Sequence, residues 1–165
     1  MLRLAIGFCL LMIVTGCNRK APLDPTASLC DLKGLKLRVP VFTIRIVLSD
    51  AAAKRLRDSG ESIKGFIDFD GDGIPKKNEY TAPNRPVVLG CYQFEITEAG
   101  DVSVTEAYIS AEAANRLTNP DYYITITVSS GRRAFKDNVL DGGFAEMHIS
   151  QATRAPIQIS CDLLP

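Results

Sequence analysis

The chain has no tryptophan, one histidine (His148) and no Cys-x-x-Cys spacing, and it has no excess of either charge, with 19 basic and 19 acidic side chains in 165 residues. Each shortage excludes something. Balanced charge leaves no electrostatic footprint for a nucleic-acid backbone, so no nucleic-acid partner is expected. A lone histidine with no partner at ligand spacing gives zinc no ligand set. No nucleophile motif and no separate acid and base can be assigned, so the chain reads as a non-enzyme. What is present is ordinary for a folded domain. Apolar residues make up 46% and charged residues 23%, enough to bury a core and too apolar for an intrinsically disordered chain. The length suits one domain.

The first residues carry an address. Met1-Leu2-Arg3 is a short basic start, and Leu4 to Val14 is a nearly unbroken apolar run that ends in Thr15-Gly16-Cys17. This is the layout of a secretory signal peptide. The run is shorter than the roughly 20 residues a spanning helix needs. Val14-Thr15-Gly16-Cys17 resembles the lipobox of bacterial lipoproteins, in which the cysteine is acylated and becomes the new N-terminus. The resemblance implies lipid on Cys17, contact with the membrane through that lipid, and a globular domain at a membrane surface. Several acyl chains on one residue meet the requirement for stable anchoring. Asn18 after the cysteine, by analogy with such lipoproteins, implies the outer membrane, with the domain facing the periplasm. The expected organisation is a leader over 1–16, a lipidated N-terminus and tether over 17–31, and one domain over 32–165. Loss of Arg3 with the leader leaves a formal charge of −1.

In such a compartment disulfides are permitted. Cys9 leaves with the leader and Cys17 carries lipid, so Cys30, Cys91 and Cys161 allow one bridge in three pairings. Cys30–Cys161 is favoured because it closes the longest loop and ties the start of the domain to its last strand. Cys91–Cys161 is the second choice, and Cys91 also reads as a small buried apolar residue within a strand.

Strand-like alternation recurs along the domain. Phe42, Ile44, Ile46 and Leu48 alternate with Thr43, Arg45 and Val47, and a Ser49-capped helix over Ala51 to Arg57 is expected to stop near Gly60. A strand over Ser62 to Phe69 follows. At an offset of sixty-one residues, Leu48 to Leu56 aligns without gaps to Ile109 to Leu117, the strand that follows falls on Tyr123 to Ser130 with Ile63 and Ile67 on Ile124 and Val128, and Asp68 to Asp72 fall on Ser129 to Arg133, an internal duplication to be compared with the reading that Ser-capped, Ala-rich helices look alike. Further strands are expected over Pro86 to Ile96, then through a hairpin turn at Glu98–Asp101 into Val102 to Ile109, over Phe144 to Ser150, and over Pro156 to Cys161. About seven strands with two short crossover helices predict a mainly β fold, a β-sandwich of immunoglobulin-like or transthyretin-like kind. A split α+β fold with both helices on one face is the alternative.

Asp68-Phe69-Asp70-Gly71-Asp72-Gly73-Ile74-Pro75-Lys76-Lys77-Asn78-Glu79 fits D-x-[DN]-x-[DN]-G-x5-E at every specified position. Carboxylates at positions 1, 3 and 5 can converge on a hard cation, the glycine allows the turn, and a carbonyl at 7 with Glu at 12 completes the shell. Calcium is therefore the expected cofactor, held by Asp68, Asp70, Asp72, the carbonyl of Ile74, and Glu79. The run resembles EF-hand loops and the calcium loops of extracellular repeat modules, although a strand leads into it, Pro75 interrupts it, and Lys76 and Lys77 oppose a cation. A solvated Asp/Gly turn is the other reading.

Arg132 and Arg133 stand together on an expected loop, where a guanidinium pair suits the gripping of carboxylate or phosphate and marks a partner-binding surface. Asp137, Asn138 and Asp141 are the alternative, intramolecular partners. Ser130-Gly131-Arg132-Arg133 resembles the Ser-Gly-x-Arg-Tyr loop of periplasmic lysozyme-inhibitor lipoproteins over four residues, with Ala134 in place of the Tyr. The expected function is a lipid-anchored, non-catalytic binding protein of the bacterial envelope with a protein partner there. An inhibitor or immunity protein against a cell-wall hydrolase is its sharper form. The alternative is a structural lipoprotein subunit of an envelope or secretion assembly.

Overall fold

The computed structural model describes residues 32–77 and 85–165. The leader, Cys17, Cys30 and Glu79 lie outside the described residues. Among the described residues the chain forms β1 (Lys36–Arg38), β2 (Phe42–Leu48), α1 (Asp50–Ser59), β3 (Ile63–Gly71), β4 (Val87–Ile96), β5 (Gly100–Val104), β6 (Tyr108–Ser110), α2 (Ala111–Ala114), β7 (Tyr123–Ser130), β8 (Leu140–His148), α3 (Ile149–Ala152) and β9 (Ile157–Leu163). The fold is mainly β. The period-2 pattern sends Phe42, Ile44 and Ile46 of β2, Ile63, Ile67 and Phe69 of β3, and Ile124, Ile126 and Val128 of β7 into one apolar cluster.

Seven strands pair in the order β4-β3-β7-β8-β9-β2-β5, and β1 pairs with β6 in a second, two-stranded sheet. Where the sequence predicts about seven strands and two helices, the described residues hold nine and three. β4 and β5 stand at opposite ends of the seven-stranded order, yet only residues 97–99 join them. Three linking residues reach about 14 Å, whereas the edges of a flat seven-stranded sheet would lie about 29 Å apart. The sheet must therefore curl until its edges approach each other, and it does. The hairpin expected at Glu98–Asp101 is accordingly absent: β4 pairs with β3, and β5 pairs with β2. Alternation shows which face of a strand is buried and does not reveal its neighbour.

The expected strand over Val102 to Ile109 is also divided, for a reason visible in its partner. β1–β6 and β2–β5 share one unbroken register, from Lys36↔Ser110 to Ile46↔Gly100, with Val39 N–H donating to the Ala107 carbonyl at 2.9 Å between them. They form one ribbon whose ladder is interrupted at Pro40, which has no N–H to give, opposite a bend at Glu106. The Arg38 guanidinium holds the bend by donating to the Thr105 carbonyl at 2.7 and 3.0 Å. The bend lays β6 against β4.

Both halves of the expected duplication start a helix in the same way: Ser49 Oγ accepts from Ala52 N–H and Ser110 Oγ from Ala113 N–H, each at 3.2 Å. The likeness is local. α1 has ten residues and α2 four, and the strands before them, β2 and β6, lie in different sheets.

β8 pairs with β9 only at Leu140↔Leu163 and Asp141↔Asp162. Against β7 its register shifts between Phe144 and Gly142, leaving Gly143 as the extra residue at φ 54°. A Cβ at Gly142 would stand 1.7 Å from the Val128 carbonyl oxygen, backbone that cannot yield cheaply. Gly142→Ala is expected to cost at least about 2 kcal/mol in chemical denaturation, and an unchanged midpoint would show that the β7–β8 ladder is not held this tightly.

A candidate binding loop and an acidic strand

The arginine pair lies in a turn that the rest of the fold builds with unusual care. Ser49 caps α1, Asp50 lies in its first turn and Arg57 in its last, each on the end where its charge is favourable. Ala52 and Leu56, one turn apart, face the core. Gly60 ends the helix in the left-handed region at φ 70°, and the next N–H, of Glu61, bonds to the Leu56 carbonyl at 3.0 Å. This helix end fixes Glu61, which is only 2% exposed.

A buried carboxylate must be paired or hydrogen-bonded. Glu61 is paired with backbone: one oxygen accepts from Ser62 N–H at 2.8 Å and Arg133 N–H at 3.0 Å, the other from Ala134 N–H at 2.8 Å and Phe135 N–H at 3.1 Å. Burial alone would raise its pKa, but these four donors, led by Arg133, outweigh burial and hold it down at about 2. Around this anchor Gly131 N–H donates to the Ser62 carbonyl at 2.8 Å. Asn138 Oδ1 accepts from Ser130 N–H and Oγ–H and from Leu140 N–H. The Arg55 guanidinium lies 4.6 Å from the centre of the Phe135 ring.

The two arginines have different fates. Arg133 donates from Nε to Glu95 at 2.5 Å, and Glu95 also accepts from Ser62 Oγ. Arg132 is exposed and pairs with no acidic group among the described residues. Its backbone is at φ 60°, the one non-glycine residue in the left-handed region among those described, a conformation that costs on the order of 1 kcal/mol. Gly131 beside it is required for space: a Cβ there would meet Ser62 Oγ at 1.9 Å. Beside the turn a groove of about 250 Å³ is lined by Arg132, Gly131, Ser129, Thr127, Lys64 and Phe66, among others. Asn138, one expected partner of the arginines, is spent on the backbone instead.

Of the acidic run, the described residues extend from Asp68 to Lys77. Asp68 and Asp70 lie within β3, where alternate residues share a face but stand about 6.6 Å apart along the strand. Asp70 faces a cation of the protein's own: Arg85 Nη1 is 3.3 Å from its Oδ1, while the same guanidinium holds Glu146 at 2.6 and 3.0 Å and stacks 3.8 Å from the Tyr123 ring centre. Burial and the neighbouring Asp70 raise Asp68 to about 6, and burial raises Asp70 in spite of Arg85. Asp72 is exposed, and its carbonyl accepts from Thr118 N–H at 2.9 Å. The Ile74 carbonyl expected to face calcium accepts from Arg116 Nη1 at 3.2 Å. Gly73 is required there because a Cβ would lie 2.3 Å from the Arg116 carbonyl oxygen. Thus the Asp/Gly pattern serves a close approach between this turn and residues 116–118. Among the described residues no group of three His, Cys, Asp or Glu side chains is placed to hold a metal ion.

Cys161 is a free thiol, 3% exposed, and burial with the nearby Asp141 raises its pKa to about 11. The favoured Cys30–Cys161 bridge is therefore not formed, nor is Cys91–Cys161. β9 turns Cys161 inward with Ile157 and Ile159, so its side chain belongs to the core. Cys91 is not a free thiol.

Comparison with protein-family models, with characterised proteins and with solved structures gives no match.

Glu61→Gln should test the anchor. Glu61 has a folded pKa below its unfolded one, so its stabilisation is present above about pH 4.5 and is lost as pH falls toward 2. Glu61→Gln is expected to lose about 2 kcal/mol at pH 7 and to flatten that acid-side slope; identical pH profiles would remove Glu61 from its role. For the acidic run, millimolar calcium is expected to leave the melting temperature unchanged, whereas a rise that disappears in Asp70→Asn would restore the calcium loop.

Proposed function

We propose that the chain is a lipid-anchored, non-catalytic binding protein of the bacterial cell envelope, held at the outer membrane through Cys17, with the Gly131–Phe135 turn as its contact surface for a protein partner. The observation that carries this reading is the division of labour in that turn: a buried carboxylate fixes its backbone, and Arg132 is presented in a strained conformation without an internal partner. Strain of this kind persists where the surroundings enforce it, and it clusters at binding sites. A rigid donor loses less entropy on binding than a mobile one. Inhibition of a cell-wall hydrolase is the sharper form of the proposal, because such enzymes offer acidic clefts that a presented guanidinium can enter.

A disulfide between Cys30 and Cys91 belongs to the same reading. Leu32, two residues after Cys30, sets its side chain against Gly90, where a Cβ would lie 3.0 Å from Leu32 Cδ2. Cys91 is the next residue, well within the reach of two extended residues. Such a bridge would fix the end of the tether to β4.

A second reading, a structural subunit of an envelope or secretion assembly, is favoured by the bent ribbon, where Leu35, Leu37, Val41 and Tyr108 are all exposed.

Full-length protein made in a bacterial host should incorporate labelled palmitate and sediment with outer membranes, and Cys17→Ser should lose both properties. Incorporation that persists in Cys17→Ser would overturn the anchor. Denatured without reductant, the lipidated chain should accept one alkylating group, on Cys161; labelling of Cys91 would overturn the Cys30–Cys91 bridge. Capture of a cell-wall hydrolase that depends on Arg132 would support the inhibitor form, and capture of envelope-machine proteins that depends on the ribbon would favour the structural one.

A further inference from the structure

The groove beside the turn indicates what kind of group the partner brings. Its floor is the outward face of the β3–β7 pair: Lys64 stands opposite Ser129, and Phe66 opposite Thr127. Arg132 forms the wall at one end. Of the charged groups around it, Glu95 pairs with Arg133 and also stands opposite Lys64, Asp68 follows Phe66 on the same face of β3, and Glu61 is buried beneath the turn with its oxygens occupied by backbone N–H groups. What faces the groove is therefore one cation without an acidic partner, Arg132, with Lys64, whose charge is shared with Glu95, beside two hydroxyls and the Phe66 ring of β3. Guanidinium favours planar oxyanions that can accept two parallel hydrogen bonds, and hydroxyls can donate to the same oxygens.

We propose that this groove is a carboxylate-binding site, in which Arg132, assisted by Lys64, Thr127 and Ser129, takes the acidic side chain of a peptide segment of the partner, its aliphatic stem lying against Phe66. The inference rests on the binding-protein reading and specifies the chemistry of its contact. Glu61 is a positioning residue here. It touches no ligand and acts by holding the backbone on either side of Arg132.

The strain at Arg132 provides a variant that separates binding from folding. Glycine adopts φ 60° without penalty, so Arg132→Gly should keep or raise the melting temperature while removing the guanidinium. The probe is a short peptide of alternating Glu and Gly, titrated into the 15N-labelled full chain in non-ionic detergent micelles. The control is the same peptide with Gln for Glu. The Glu peptide should move the amide signals of Lys64, Ser129, Gly131 and Arg132, and the Gln peptide should not. Arg132→Gly should weaken the Glu peptide about tenfold or more, the loss of one charge-assisted pair. Arg133→Ala, which breaks a pair already closed on Glu95, should weaken it much less. Equal shifts with inorganic phosphate would overturn the carboxylate assignment and leave a general anion site. Shifts located elsewhere, or unchanged in Arg132→Gly, would overturn the site. Because the titration needs neither lipid nor partner, loss of the groove would leave Cys17-dependent anchoring and partner capture to stand or fall separately.

Discussion

The carboxylate of Glu61 is the constraint on which the presented surface depends. An anion placed where water cannot reach it is tolerable only if donors converge on it, and here the donors are four backbone N–H groups, of Ser62 and of Arg133 to Phe135, drawn from two distant parts of the chain. Satisfying that one charge fixes the conformation of residues 131–135. The position of Glu61 is itself set by the end of α1, through Gly60 and the Leu56 carbonyl. A capped helix, a glycine stop, a buried anion and a strained arginine thus form one mechanical chain, running from Ser49 to Arg132.

The same economy appears at the other end of β3. Arg85 holds Glu146 by two hydrogen bonds, lies 3.3 Å from Asp70 and stacks on Tyr123, so one cation is shared by two carboxylates and Asp70 Oδ1 is left buried without a hydrogen bond. β3 therefore begins beside the arginine turn, with Ile63 opposite Ser130, and ends in the acidic run, with Asp70 opposite Tyr123. The antiparallel pairing of β3 and β7 separates the two segments that the sixty-one-residue offset would equate, so opposite charges occupy opposite ends of one strand pair.

Much of this was legible in the sequence, and the failures have physical causes. α1 could be read from Ser49, the alanines and Gly60 because caps and stops are local, and β7 matches its expected span of Tyr123 to Ser130 because alternation is local too. Partner choice is not local. The Glu98–Asp101 turn has hairpin composition, yet β4 and β5 meet other strands. The acidic run satisfies a calcium pattern by residue type, but the pattern says nothing about whether Asp68 and Asp70 lie in an extended strand, and an Arg85 partner does not enter it. Glu61 gave no signal at all: three of its four donors are about seventy residues away, and a lone glutamate after a helix ordinarily reads as solvated. The arginine pair was found by type, and only the fold distinguishes the arginine that is spent from the one that is presented.

The place of β9 has a consequence for how the molecule comes into being. β9, which follows the other strands in the described residues, is an interior strand of the sheet, lying parallel to β2 on one side and touching β8 on the other. Everything made earlier waits for it: β2 and β5 cannot join β8, β7 and β3 until Ile157–Leu163 has arrived between them. Contacts that join the two ends of a chain are slow to form, because loop closure must precede any gain from them. A chain of this design stays open until Ile157–Leu163 is free to pair, and so closes late into its globule.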